Sequence, residues 1–243
     1  MLRDALKQVV PRLARTRVGK DLVHAAVLGD PAATRFSRVE RWPDEVRGFE
    51  DLAFLFSSNQ LNHGIASLRL DEAALLYRIA RDAGPATLAE IGRFKGGSTV
   101  ITAAAMHPEA ELWSYDLHVA LRPDLPGELL DRELAEALRR LGLDARVHLV
   151  VGDSRTVEPP PRPLASLLVD GDHTYEGARA DYLRWRAFLA PGGHLLFHDA
   201  VDTGGYGNYY AGIARLVTEI SRDDETLERQ PDAGSIAHFV SRG

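Results

Sequence analysis

No cysteine occurs among the 243 residues, which removes disulfide frameworks, zinc–thiolate sites, iron–sulfur clusters and a cysteine nucleophile together. Long apolar runs are missing as well. No stretch approaches the roughly 18–20 residues of a membrane span, and the first residues do not pair an apolar core with a cleavage site. The expectation is a soluble, cytoplasmic protein with no membrane partner. Net positive charge is also absent: 29 Lys and Arg stand against 35 Asp and Glu, giving −6, whereas a nucleic-acid-binding domain is normally basic. Lysine is rare, and we read the preference for arginine as coding bias. What is present is an ordinary globular mixture, 45% hydrophobic and 26% charged. A chain of this length buries a sizeable core without crosslinks and suits one α/β domain with an N-terminal extension.

Charge is uneven along the chain. Arg3, Lys7, Arg12, Arg15, Arg17 and Lys20 crowd the first twenty residues against Asp4 alone. Such a segment binds polyanions or membrane surfaces, or is the solvated face of an accessory helix. Apolar positions are few and Pro11 interrupts the segment, which favours the solvated face. Residues 1–70 show no alternation of strand and helix, and their aromatics gather at Trp42, Phe49, Phe54 and Phe56. These rings fill a core, cover a pocket or form a dimer contact.

From residue 71 onward short apolar runs alternate with longer amphipathic segments. Asp71 is placed to cap a helix running to residue 83, which Gly84 and Pro85 stop. Strands are predicted at 87–91, 111–117, 147–151, 164–169 and 194–197, with helices near 100–106, 128–141, 175–189 and 209–220. A loop holding Pro123 and Pro126 precedes the 128–141 helix. Runs such as Leu-Leu-Val and His-Leu-Leu-Phe are apolar on both faces, as a parallel sheet covered by helices requires. The segments 226–229 and 236–240 read as a terminal hairpin. The prediction is a doubly wound, mostly parallel seven-stranded sheet with a helical N-terminal extension over 1–70 and one α/β domain over 71–243.

In such a sheet ligands bind beyond the carboxyl ends of the strands. After the first strand stands Glu90-Ile-Gly-Arg-Phe-Lys-Gly-Gly-Ser-Thr99. Gly92, Gly96 and Gly97 let the backbone turn close to a ligand, and Ser98 opens a helix whose N–H groups face an anion. This spacing is not the dinucleotide fingerprint G-x-G-x-x-G. Asp116 ends the second strand, where an acid can accept hydrogen bonds from a ribose diol. Asp153 and Ser154 follow the third, Asp170-Gly-Asp-His173 the fourth, and His198-Asp199 the fifth. Each signal is modest alone; five consecutive strand ends together are not explained by turns.

These motifs resemble the class I S-adenosylmethionine-dependent O-methyltransferases, in particular the group acting on macrolide and aminocoumarin sugars. The resemblance covers residues 70–239 and rests on Glu-Ile-Gly-x3-Gly-Gly-Ser-Thr, Gly-Asp-Ser, Val-Asp-Gly-Asp-His-x-Tyr and Leu-x-Pro-Gly-Gly-x-Leu-x-Phe-His-Asp. It implies that Glu90, Gly92, Gly96, Gly97 and Ser98 hold the methionine and ribose parts of S-adenosylmethionine. Asp116 would take the ribose hydroxyls, Asp153 and Ser154 would flank the adenine, and Asp170 would border the same pocket. Asp170, His198 and Asp199 fall where metal-dependent relatives place a divalent ion. Many relatives carry an acid at the position of His198. An all-oxygen set suits magnesium, whereas an imidazole leans toward manganese.

The implied reaction is methyl transfer to the hydroxyl of a sugar-containing natural product or similar small molecule. A sulfonium methyl is already activated, so positioning and deprotonating the acceptor are what remain for the protein. His198, His173 and Asp170 are the expected catalytic groups. His118 and His63 are candidates for the substrate side, and the glycine- and tyrosine-rich stretch 204–210 for a substrate lid. A homo-oligomer is expected. Two further readings remain at this stage: a metal-using relative recruited to hydroxylation, and a cofactor-binding subunit without catalysis.

Overall fold

A computed structural model describes residues 45–56, 65–118, 127–204 and 209–242. The basic segment 1–20, Trp42, His63, the loop with Pro123 and Pro126, residues 205–208 and the side chain of Phe54 lie outside the described residues.

The described chain opens with a 3-10 turn, Phe49–Leu52, and a short helix α1, Ala53–Phe56. Then come α2 (Leu70–Asp82), β1 (Thr87–Ile91), α3 (Gly97–Ala105), β2 (Glu111–Asp116), α4 (Gly127–Arg140), β3 (Val147–Val151) and β4 (Leu164–Val169). They are followed by α5 (Tyr175–Trp185), β5 (Leu189–Phe197), α6 (Ala211–Asp223), β6 (Leu227–Arg229) and β7 (Ala237–Ser241). The strands form one seven-stranded sheet in the order β3-β2-β1-β4-β5-β7-β6. The first five are parallel; β7 runs antiparallel to both β5 and β6, so the expected terminal hairpin is present.

Apolar runs on both faces are used as two separate cores. Leu88, Leu112, Leu168 and Leu196 point to one side, under α2, α3 and α4. Ala89, Tyr115, Leu167 and Phe197 point to the other, under α5 and α6. Leu52 and Leu55 are fully buried in the first core, and the Phe49 ring meets Tyr77 of α2 edge-on at 5.4 Å. Among the aromatics of that segment, Phe49 therefore packs against the domain.

Two boundaries differ from the sequence expectation. Helix α2 is capped at Arg69, whose backbone N–H donates to Glu72 Oε2 at 2.7 Å, so Asp71 sits inside the first turn. Strand β5 begins at Leu189 and not at 194, because Pro191-Gly-Gly bulges within the strand: Leu164 pairs with Leu189, but Ser166 already pairs with His194. The 175–189 helix correspondingly ends at Trp185 in a 3-10 turn.

His194 and His238 meet across β5 and β7, with Nδ1 of one 2.8 Å from Nε2 of the other. Burial, then His194, then Arg229 lower the His238 pKa to about 4. A base whose folded pKa lies below its unfolded value near 6.5 takes up protons preferentially when unfolded, so stability falls as pH drops from about 6.5 to 4. Between pH 7.5 and 4.5 this group contributes a loss of roughly 2–3 kcal/mol. Urea unfolding at the two pH values is expected to show that excess loss in the wild type over His238→Gln; equal losses would sink the assignment.

Candidate active site

The strand order reverses between β1 and β4, the crevice where open α/β sheets take ligands. A cavity of about 650 Å³ opens there, within the range of small-molecule sites. It is lined by residues that follow all five parallel strands: Gly92, Gly97 and Ser98; Asp116; Asp153 and Ser154; Asp170 and His173; His198 and Asp199. Glu90 and Gly96 do not line it.

Each of these two absentees has a local task. Glu90 is buried, and its Oε1 accepts the hydroxyls of Thr99 and, at 2.6 Å, Ser114; Oε2 has no hydrogen-bond partner. Burial pushes this carboxyl up despite those bonds. Gly96 precedes α3 with φ +80°, the left-handed region that glycine reaches without cost. Gly92 has φ +85°, and a Cβ there would stand 2.2 Å from the Asp170 carbonyl oxygen. Glycine at 92 is what lets the ends of β1 and β4 approach this closely.

Asp116 accepts three backbone N–H bonds: from Arg93 at 3.0 Å, Phe94 at 3.3 Å and His118 at 2.8 Å. They leave part of its acceptor capacity for a ligand. At the far end, Asp153 is bidentate to Arg155, and burial being slight there, that guanidinium draws its pKa down to about 2. The Ser154 hydroxyl donates to Asp181 Oδ1 at 2.5 Å, on α5. Burial raises Asp181 to about 6 against that bond.

Sequence reasoning missed a buried cluster beside Asp116. The Arg93 side chain is fully buried, and its guanidinium donates to both oxygens of Asp131 at 2.6 and 2.5 Å. It also donates to the carbonyls of Ser114 at 2.9 Å and Val150 at 3.0 Å, tying the ends of β2 and β3 together. His118 Nε2 lies 2.5 Å from Asp131 Oδ2. Of the two substrate-side candidates, His118 thus lines the pocket but is held by the α4 acid. Phe94, His118 and Asp199 all have positive φ, between 46° and 56°, which non-glycine residues adopt only when their surroundings impose it.

The other end of the pocket gathers acids and imidazoles. His173 Nε2 lies 3.4 Å from Asp170 Oδ1 and 3.3 Å from Asp199 Oδ2. Donor atoms of Asp170, His173 and Asp199 fall within 4.8 Å of one another, a spacing that can hold a metal ion. His198, the histidine expected in that set, also turns Nδ1 to the two acids, Asp170 at 3.0 Å and Asp199 at 3.4 Å, while its Nε2 faces Glu72 at 3.4 Å. Burial opposes charge on His173, but Asp170 and Asp199 outweigh it and raise its pKa to about 9. Against burial, Asp170, then Glu72 and Asp199, raise His198 to about 11. The Tyr210 ring stands 4.5 Å from the His173 ring at the pocket wall.

Residues 89–200 match the family model described as a methyltransferase domain. The O-methyltransferase TomG from Streptomyces achromogenes, involved in tomaymycin synthesis and solved with SAM, is 18% identical; the match covers 86% of this chain and 100% of that one at TM-score 0.59. An O-methyltransferase from Bacillus cereus in complex with SAH is 15% identical, covering 96% and 97% at TM-score 0.54. Cofactor-bound Rv0187 from MTB is 18% identical, covering 96% of each chain at TM-score 0.56. Likeness at these identities speaks for the fold, and the seven-stranded sheet agrees with it. With the match over residues 89–200, the chain carries a methyltransferase domain on the class I Rossmann-like α/β fold.

Proposed function

We propose that the protein transfers a methyl group to a hydroxyl oxygen of a sugar-containing natural product or similar small molecule, with assistance from a divalent cation. The observation that carries this reading is the convergence of Asp170, His173 and Asp199 at one end of a pocket whose opposite end presents Asp116 and an open helix start. O-transfer is in keeping with the printed names of the two O-methyltransferases of the same fold.

The pocket fits the cofactor. Gly97 and Ser98 begin α3 with backbone N–H groups that have no partner within the helix, suited to a carboxylate. Asp116 is placed for a diol. Two carboxylates fit a divalent cation, and Asp170 and Asp199 would hold it; such an ion supplies Lewis acidity that makes a bound hydroxyl easier to ionise. The cofactor supplies an activated methyl.

The remaining work belongs to this chain. His173 reaches any oxygen seated between the two acids and takes the proton of the acceptor hydroxyl at Nε2. Tyr210 offers a flat apolar wall beside it, suited to the less polar face of a sugar ring. Asp116 and the α3 start fix the cofactor so that its methyl and the acceptor oxygen meet in line.

Two experiments test this reading. Titration with S-adenosylhomocysteine is expected to show one-site binding that Asp116→Ala weakens about a hundredfold, the scale of two lost charged hydrogen bonds. No binding by the wild type would overturn it. Treatment with a chelator is expected to abolish transfer, with recovery on adding Mn2+ or Mg2+; full activity in chelator would leave His173 as the base and remove the cation.

A further inference from the structure

Glu72 stands in the first turn of α2, where an acid has the ordinary task of closing a helix start, and it does accept the Arg69 N–H. Its side chain reaches further. It is 2% exposed, and Oε1 accepts the Ser235 backbone N–H at 2.6 Å and the Ser235 hydroxyl at 2.8 Å. Oε2 faces His198 Nε2 at 3.4 Å. A buried carboxylate is costly unless its acceptor sites are used, and here both oxygens are engaged.

Ser235, in the turn between β6 and β7, passes the contact on. Its Oγ lies 3.3 Å from Asp199 Oδ1 and 3.3 Å from the Asp199 backbone nitrogen. Its carbonyl accepts the N–H groups of Ala200 at 2.9 Å and Val201 at 3.0 Å. Asp199 has φ +56°, a conformation that a non-glycine residue keeps only when neighbours hold it. The Ser235 contacts are such a hold. Glu72 itself does not line the pocket.

We propose that Glu72 is a positioning residue: bracing His198 from behind and gripping Ser235, it sets how the Asp170 and Asp199 carboxylates face His173. The proposal rests on reading that trio as the reacting end of the pocket. It ties the site to α2, which precedes the matched domain, and to the terminal hairpin, which follows it.

The test uses the full chain labelled with 15N-histidine, without added metal, comparing imidazole resonances of the wild type, Glu72→Gln and Ser235→Ala. The reporter is His173, whose ion-pair partners are Asp170 and Asp199, not either substituted residue. Its resonances are expected to move in both variants. Those of the His194–His238 pair are expected to stay, and S-adenosylhomocysteine affinity to hold within about twofold. A helix-closing acid with no positioning role would leave His173 unmoved, and that result overturns the proposal. So does a loss of affinity beyond about tenfold, which would mean that Glu72 supports the whole pocket. If Glu72→Gln also displaces His194 and His238, the Ser235→Ala spectrum decides alone, since it deletes a single hydroxyl. Because no metal is present, failure of the cation reading leaves this result standing.

Discussion

Asp131→Ala is expected to destabilise the fold by about 3–5 kcal/mol, the usual result of removing one member of a buried ion pair. For a chain of this length that is a fall of roughly 10 °C in the unfolding midpoint. The cause is the guanidinium left behind: the Arg93 side chain is fully buried, and Asp131 is its bidentate carboxylate. The carbonyls of Ser114 and Val150 would still accept from it, but they carry no charge to offset its own. Because the Arg93 backbone N–H also donates to Asp116, S-adenosylhomocysteine affinity should fall in the same variant. A double replacement, Arg93→Met with Asp131→Leu, is expected to recover most of the stability, since apolar side chains of similar volume often replace such pairs without loss. Thermal unfolding of the wild type and the two variants checks this. A single variant as stable as the wild type would show that the guanidinium finds water.

His173→Ala is expected to lower kcat by about 10²–10⁴-fold, the range that general-base groups supply. S-adenosylhomocysteine affinity should change little, because His173 sits with the acids at the opposite end of the pocket from Asp116. Below about pH 9 the imidazole of the metal-free protein is protonated, held so by Asp170 and Asp199 against the opposing effect of burial. Only the neutral form accepts a proton, so the wild-type rate with the cation supplied should rise with pH to a plateau, and the variant should lose that rise. Initial rates across pH for both proteins are the measurement. A variant with unchanged kcat and an unchanged pH profile would remove His173 from proton transfer.

The alternation of strands and helices was readable because parallel strands buried on both faces are written as continuous apolar runs, as in Leu164–Val169. The strand ends were readable for a related reason: glycine, acid and hydroxyl residues immediately after such runs have few structural uses in combination. Hence Gly92, Asp116, Asp170, His173 and Asp199 were found, and all five line the pocket. Glu90 and Gly96 carry the same signal for a different purpose, one packing the base of the strand end and the other starting α3, and nothing local separates the two uses. The early end of α5 and the long β5 came from a bulge at Pro191-Gly-Gly that becomes visible only in the register with β4.

Residue order along the chain therefore determined the sheet, its helical cover and which five loops meet a ligand, because hydrophobic period and turn chemistry act over a few neighbouring residues. Three decisions needed the folded chain. Ser235 lies 163 residues from Glu72, and in the sequence Glu72 is one more acid in a helix's first turn. Arg93 and Asp131 are 38 residues apart, and each alone reads as a solvated charge. His198 and His173 are alike as sequence signals and both meet Asp170 and Asp199; packing set Glu72 behind the one and Tyr210 beside the other. Long-range contacts of this kind depend on how α2, α4 and the terminal hairpin dock on the sheet, and docking geometry is set by the whole core rather than by any local run of residues.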